Sequence, residues 1–308
     1  MDVVCLGILV ADVIARPVGE SPPWGSLELA GAVVLRGGGC ALNTSTALVK
    51  LGLTAGAAGK VGADPFGDFL LGLLDERGVD RRGVVRDAES PTSATAVLVR
   101  ADGERAFLHS VGADGTLAAD ELDTDLLYSG KALHVAGALV METLDGEPTA
   151  DILAEAKRRR VFTSLDPAWD PTGRWSRLEP CLPHLDLAVP SLGEAQAVSG
   201  EREPQFVAAW WRSHGVKEIA LTMGPEGCYA SGDGFEGHVP APQVQAIDGT
   251  GAGDAFAAGL IYGKLAGWSF RDAVTFASAA GALATTAVGA TEGVLGLDET
   301  LAFARMVE

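Results

Sequence analysis

Positive charge is scarce in this chain. Twenty-three lysines and arginines stand against 41 aspartates and glutamates, a formal net charge of −18. That excludes a general nucleic-acid or anionic-membrane partner, because both need a basic surface. A phosphate ligand survives the test, since a few backbone amides and a bound cation reverse the field locally. Cysteine is also sparse: Cys5, Cys40, Cys181 and Cys228 lie far apart with no Cys-x-x-Cys pair, the usage of reduced thiols in a cytoplasmic protein. The five histidines show neither His-x-x-x-His nor Cys/His spacing, which argues against a structural zinc site. No apolar run reaches the roughly 18 residues of a membrane helix. The opening MDVVCLGILVADVI has no basic segment and meets Asp2 and Asp12, so it reads as a first strand rather than a signal peptide.

What the chain does have is core material, with 47% hydrophobic residues over a length of 308. At roughly 150 residues per domain the length allows two domains. No linker, repeat or low-complexity tract divides it, and one domain over residues 1–308 is expected. Apolar β-type runs at Val3–Leu9, Thr54–Val61, Ala132–Ala136, Val161–Asp166, Leu185–Val189 and Ile219–Met223 alternate with helical patterns. The helices fall at Ala41–Leu51, Pro65–Arg77, Thr149–Arg160, Leu192–Ser199, Pro204–His214, Gly251–Leu265 and Phe270–Thr286. Near-continuous apolar strands between helices predict an α/β fold: three layers, α/β/α, around a mainly parallel sheet. Two stretches, about 12–37 and 92–110, hold β-rich sequence without a helix and predict extra strands in a small second sheet.

Several glycine-rich segments suggest nucleotide binding and fail. Gly56–Val61 has a Gly-Lys pair but lacks the earlier glycine and the Ser/Thr of a phosphate-binding P-loop. Gly7 is followed by Ile8 and Leu9, without the spacing of a dinucleotide fingerprint. The segment Asp248–Leu260, DGTGAGDAFAAGL, is different. Gly249, Gly251 and Gly253 free the backbone to turn N–H groups toward a ligand just where a helix begins, a nest for a phosphoryl group. Asp254 stands at the head of that helix as a fixed carboxylate, or as a simple stabiliser of the helix terminus. In Arg36–Leu51, RGGGCALNTSTALVKL, Gly37–Gly39 permit close approach of a polar ligand, with Asn43 one turn on; a tight strand-to-helix turn explains the glycines equally well. Asp12 lies just beyond the first strand, at the edge where a carboxylate can accept hydroxyl hydrogen bonds; an isolated Asp there is more often a loop or cap residue.

Together these segments resemble the PfkB, or ribokinase-like, carbohydrate kinase family. Gly38-Gly39-Cys40-Ala41-Leu42-Asn43 followed by Leu51-Gly52 is similar to the family's N-terminal signature. Gly59-Lys60-Val61-Gly62 with Asp64 and Phe66-Gly67 resembles the segment that follows it, and Asp248-Gly-Thr-Gly-Ala-Gly-Asp254 the specific C-terminal signature. The resemblance implies a ribokinase-like core with a β-sheet lid over the sugar, and ATP-dependent phosphorylation of a hydroxyl with Mg2+ across the phosphates. It makes Asp254 the general base and the N–H groups of Gly251, Ala252 and Gly253 the anion hole. It gives Asp12, Gly38, Gly39 and Asn43 to the acceptor hydroxyls.

By the same resemblance, Ser191 and Glu194 occupy the place of an Asn-x-x-Glu motif near the magnesium, with Ser191 standing where the family has Asn. Thr222, Gly224 and Gly227 line the nucleotide and Ser278 lies near the adenine. Many members use potassium beside the anion hole; Asp248, Thr250 and the carbonyls of Ala284, Ala287 and Gly289 match those positions, with Gly249 where Thr is usual. Related acid-sugar kinases carry Asn-x-Arg after an Asp-Pro strand end, whereas Asp166-Pro167-Ala168-Trp169-Asp170 supplies no such Arg. The resemblance leaves the acceptor open between a sugar and a nucleoside, with Trp24 the candidate for stacking a base. A non-catalytic sugar or nucleotide sensor is a further alternative. A homodimer through the lid is expected, to cover its apolar surface and strand edges.

Overall fold

The computed structural model describes residues 1–19, 24–102 and 104–306. Ser21–Pro23 of the first helix-free stretch and Gly103 of the turn in the second lie outside the described residues. The strands are β1 Val3–Gly7, β2 Val10–Val18, β3 Ala32–Gly38, β4 Ala55–Gly62, β5 Asp80–Asp87, β6 Ala94–Arg100 and β7 Arg105–Ser110. After them come β8 Ala132–Ala138, β9 Phe162–Pro167, β10 Leu187–Ala188, β11 Glu218–Thr222, β12 Cys228–Gly232 and β13 Phe235–Val239. The helices are α1 Cys40–Lys50, α2 Pro65–Glu76, α3 Thr124–Leu127, α4 Glu147–Arg158, α5 Leu192–Ser199, α6 Pro204–Ser213, α7 Ala252–Leu265, α8 Phe270–Ala284 and α9 Leu297–Met306.

Among the described residues one sheet has nine strands in the order β13-β12-β11-β10-β9-β8-β1-β4-β5. From β5 to β11 every pairing is parallel; β12 and β13 add an antiparallel edge. Strands β1, β4 and β8 are buried along their whole length, which is why they read as unbroken apolar or small-residue runs. One core cluster joins the sheet to α1, α2, α7 and α8. The other joins its opposite face to α4 and α6, so the fold has the expected three layers. Local chemistry sets the helix ends: Asp64 caps α2 by accepting from Gly67 N at 2.9 Å, and Ser269 caps α8 by accepting from Asp272 N at 3.1 Å. No described helix is long and apolar enough to cross a membrane.

The second sheet, β3-β2-β6-β7, is the lid. Directly paired residues share a face, so the register sorts its side chains. Asp12, Thr95, Val97, Arg105, Phe107 and His109 fall on one face, and Val33, Val13, Ala96, Leu98 and Leu108 on the other. Where the chain passes between core and lid it is tied by hydrogen bonds. The buried Asp114 carboxylate accepts from Leu9 N at 3.2 and 3.3 Å, and Asp114 N donates to Ser93 Oγ at 3.2 Å. Ser93 Oγ donates to the Val111 carbonyl, and Ala11 N to the Ser93 carbonyl at 2.9 Å.

Three placements differ from expectation. β1 ends at Gly7, short of Leu9, and Asp12, within the expected lid stretch 12–37, sits on lid strand β2, paired with Arg36 and Thr95. The polar sequence of β5 hid an edge strand, since a strand paired on one side tolerates charged residues. The pair β12 and β13, joined around Asp233-Gly234, was likewise not expected and closes the opposite edge.

Gly7 lies where β1 presses on β8, and a Cβ there would come within 1.9 Å of the Ala136 carbonyl oxygen. Gly7→Ala is expected to cost at least about 2 kcal/mol in a urea titration. Gly72→Ala, in α2 with open space around it, is expected to be neutral or to stabilise by up to about 1 kcal/mol.

Candidate active site

The two glycine-rich segments, far apart in sequence, meet at the ends of α1 and α7. Gly39 caps α1 at φ +88, and a Cβ on it would lie 2.4 Å from the Ile8 carbonyl oxygen, so only glycine turns the chain there. One turn later Asn43 Nδ2 donates to Asp254 Oδ2 at 2.9 Å. Asn43 Oδ1 and Thr44 Oγ1 are buried and have no hydrogen-bond partner among the described residues. Asp12 packs on Gly38, whose added Cβ would sit 2.3 Å from Asp12 Oδ2. Burial raises the Asp12 carboxyl to about 6 against the pull of the Thr95 hydroxyl.

Gly251 caps α7 at φ +76, and a Cβ on it would meet the Ala290 carbonyl oxygen at 2.1 Å. Among the described residues nothing accepts from the N–H groups of Gly251 and Gly253, while Ala252 N makes a long 3.3 Å bond back to the Gly249 carbonyl. These orphan donors surround the head of the helix, where partial positive charge gathers. Asp254 is 8% exposed beside them. Burial raises its carboxyl to about 6, against the Asn43 amide and then Cys40, which favour the charged form.

A further buried carboxylate joins this group without having been singled out in the sequence. Asp166 ends β9 on the same side, 8% exposed, and burial together with Glu194 and Asp254 pushes it well above the usual range. The signal was available: an Asp-Pro closing a parallel strand at the edge where ligands bind. Ser191 and Glu194 form a capping box on α5, with Glu194 Oε2 accepting from Ser191 N at 2.8 Å and from Ser191 Oγ at 2.7 Å. Glu194 is 9% exposed, and burial raises its carboxyl too. None of the three carboxylates has a Lys or Arg ion-pair partner among the described residues.

Next to the head of α7 lies a cavity of about 370 Å³ lined by Thr222, Gly224, Gly227, Gly249, Ala252, Gly253, Phe256 and Ser278. Each nucleotide residue expected from β11, the following turn and α8 therefore faces one cavity. Pro242, Gln243 and Val244, which carry no motif in the sequence, line it as well. Trp24, proposed to stack a base, is fully exposed.

The residues expected to hold potassium are arranged otherwise. Asp248 Oδ1 accepts from Thr250 N at 3.0 Å, Thr250 Oγ1 at 2.7 Å and Arg105 Nη2 at 2.7 Å, and Oδ2 accepts from Gly289 N at 3.0 Å. Burial would raise this carboxyl, yet Thr250, Gly289 and Arg105 hold it down at about 2. Ala284 ends α8 and is buried, while Ala287 and Gly289 are half-buried on the segment after it. The next carboxylate there, Glu292, stands 3.5 Å from Arg77. Both acids of this segment are thus paired to arginine.

The fold is ribokinase-like: the chain superposes on a putative ribokinase II from E. coli, solved with ATP and Mg2+, at TM-score 0.85 and 25% identity over 99% of each chain. Residues 1–295 match the model of the pfkB family carbohydrate kinases, and the chain belongs to that family. It is a carbohydrate kinase, an ATP-dependent phosphotransferase. Fructokinase-1 of Zea mays is 33% identical over 94% of this chain and 93% of its own length. A 2-dehydro-3-deoxygluconokinase of Bacillus subtilis is 31% identical over 83% and 82%.

An Asp254 carboxyl that titrates near 6 instead of 3.8 favours the folded state only while protonated. Its cost is absent below about pH 4, grows between 4 and 6, and is complete above. Asp254→Asn is therefore expected to raise stability by up to about 3 kcal/mol at pH 8 and to have no effect near pH 4, read from denaturant titrations at the two pH values.

Proposed function

We propose that the chain transfers the γ-phosphate of ATP to a hydroxyl of a small neutral sugar, fructose first among the candidates. The observation that carries this reading is the Asn43–Asp254 contact at the head of a helix whose N–H groups of Gly251 and Gly253 have no acceptor among the described residues. In this reading the adenosine part of ATP occupies the cavity between Thr222 and Ser278, and the γ-phosphoryl meets the N–H groups of Gly251, Ala252 and Gly253. The acceptor lies under the lid against Asp12, Gly38, Gly39 and Asn43, with Phe107 packing on the sugar carbons. Phe107 shares the Asp12 face of the lid and is 60% exposed, which supports that role.

Asp254 takes the hydroxyl proton as the oxygen bonds to phosphorus and the bond to the β-phosphate oxygen breaks, releasing ADP. Its raised pKa suits the work, because a base poised near working pH accepts a proton more readily than an ordinary aspartate. Phosphoryl transfer has a loose transition state, so positioning and charge stabilisation supply most of the acceleration. Three buried carboxylates with no ion-pair cation among the described residues fit a divalent ion nearby, and Asp166 and Glu194 would hold Mg2+ through waters. No three such groups lie close enough to bind one ion directly among the described residues. A bound Mg2+ would supply positive charge that offsets the charge of the phosphates. Ser191 serves the capping box here, which supports an indirect part for it.

One feature supports a neutral sugar over an acidic one. Where acid-sugar kinases place an arginine, Asp170 is buried and accepts from Thr172 N at 2.8 Å, Thr172 Oγ1 at 2.6 Å and Arg174 N at 2.6 Å. The exposed Trp24 gives no support to the nucleoside alternative. In this reading core and lid act as one catalytic unit over residues 1–308 in the cytoplasm, in keeping with four free cysteines. The outer lid face, with Val33 65% and Leu108 74% exposed, supports a homodimer across it.

Asp254→Asn is expected to lower kcat on the order of 10²–10⁴-fold with ATP binding nearly intact, measured by coupled ADP release and by calorimetry; full turnover would remove Asp254 from the base role. Asp12→Ala is expected to raise KM for the sugar on the order of tenfold or more and to spare KM for ATP; an unchanged sugar KM would take β2 out of the acceptor pocket.

A further inference from the structure

Arg105 begins β7 at the tip of the lid and reaches across the cleft to the loop that leads into α7. Its Nη2 donates to Asp248 Oδ1 at 2.7 Å and its Nη1 to Thr250 Oγ1 at 2.8 Å. Both partners are otherwise fixed to the core, Asp248 through Gly289 N and Thr250 through Asp248 itself. Thr250 directly precedes Gly251, whose left-handed turn aims the orphan N–H groups. The Asp248 side chain is 13% and that of Arg105 32% exposed, so the ion pair is screened less than one at the surface. One bidentate guanidinium thus binds the lid to the backbone that the phosphoryl group has to meet.

We infer that Arg105 is a positioning residue for phosphoryl transfer. Its guanidinium supplies, from the lid, the positive charge that holds the 248–251 loop, and the reaction needs no added monovalent cation. The inference rests on the kinase reading above. It departs from the potassium site expected from the sequence, because the two carboxylates that would draw such an ion, Asp248 and Glu292, already pair with Arg105 and Arg77. It also ties chemistry to closure: a lid that lifts takes Arg105 off the loop, and the N–H groups lose their support until the acceptor is covered again.

The test compares the full chain with its Arg105→Ala and Arg105→Lys variants, using fructose and other neutral sugars with ATP and Mg2+, in potassium chloride or choline chloride at equal ionic strength. The native protein is expected to turn over within twofold in the two salts. Arg105→Ala is expected to lose on the order of 10- to 100-fold in kcat with KM for ATP little changed, and to recover part of it in potassium but not in choline. Arg105→Lys is expected to keep most of the native rate. Thermal melts give a reading independent of turnover: a potassium-specific rise in Tm for Arg105→Ala and none for the native chain. The proposal is overturned if potassium activates the native enzyme tenfold, if Arg105→Ala keeps the native kcat, or if its loss is restored neither by potassium nor by lysine. Absence of turnover with every sugar in either salt sinks the kinase reading itself, and this proposal with it.

Discussion

A carboxylate has to stay ionisable where water is nearly absent, and much of the architecture around Asp254 answers that requirement. A lone buried aspartate would simply hold its proton. Here hydrogen bonding from the Asn43 amide, and then from Cys40, brings it back to a range where it can both accept and release one. Asn43 belongs to α1 and Asp254 to α7, so the two helices must approach end to end. That approach requires glycine at 39 and 251, where backbone runs against backbone. The sheet behind them is packed from small residues and strands buried on both faces, and it gives those helix ends a rigid seat.

Labour is divided between the two sheets. The large one carries the helix termini, the three buried acids and the cavity proper to a nucleotide. The small one carries Asp12, Phe107 and His109, the last held at 3.1 Å from Thr95 Oγ1. Near the hinge, Asp114 is itself an expensive acid, pushed by burial to about 8 while it accepts from Leu9 N. Its hydrogen bonds tie the crossing segments to one another.

Sequence showed the parts of this design that depend on residue type. Glycines at alternate positions before a helix, and an aspartate at its first turn, have few other uses, so Asp248–Asp254 and Gly38–Asn43 were legible. Continuous apolar strands gave the three layers for the same reason. The rest depended on pairing between distant segments. Nothing in the run Arg105–Ser110 says that its first residue crosses the cleft to Asp248, and nothing near Asp166 says that two other acids face it. Ile8 and Leu9 continue the apolar run of β1 and hide the point where the chain changes sheets, between Gly7 and Val10. The edge strands β5, β12 and β13 were overlooked because edges carry a weaker apolar pattern than the middle of a sheet.

The knot formed by Leu9, Ser93, Val111 and Asp114 has an evolutionary corollary. Because the flap's passages through Leu9, Ser93 and Val111 converge on this one spot, its two polypeptide segments can drift or lengthen without disturbing the phosphate-handling framework, so long as Arg105 keeps its reach to Asp248 and Thr250. A lineage built on such a joint can change the sugars it accepts while inheriting its chemistry intact.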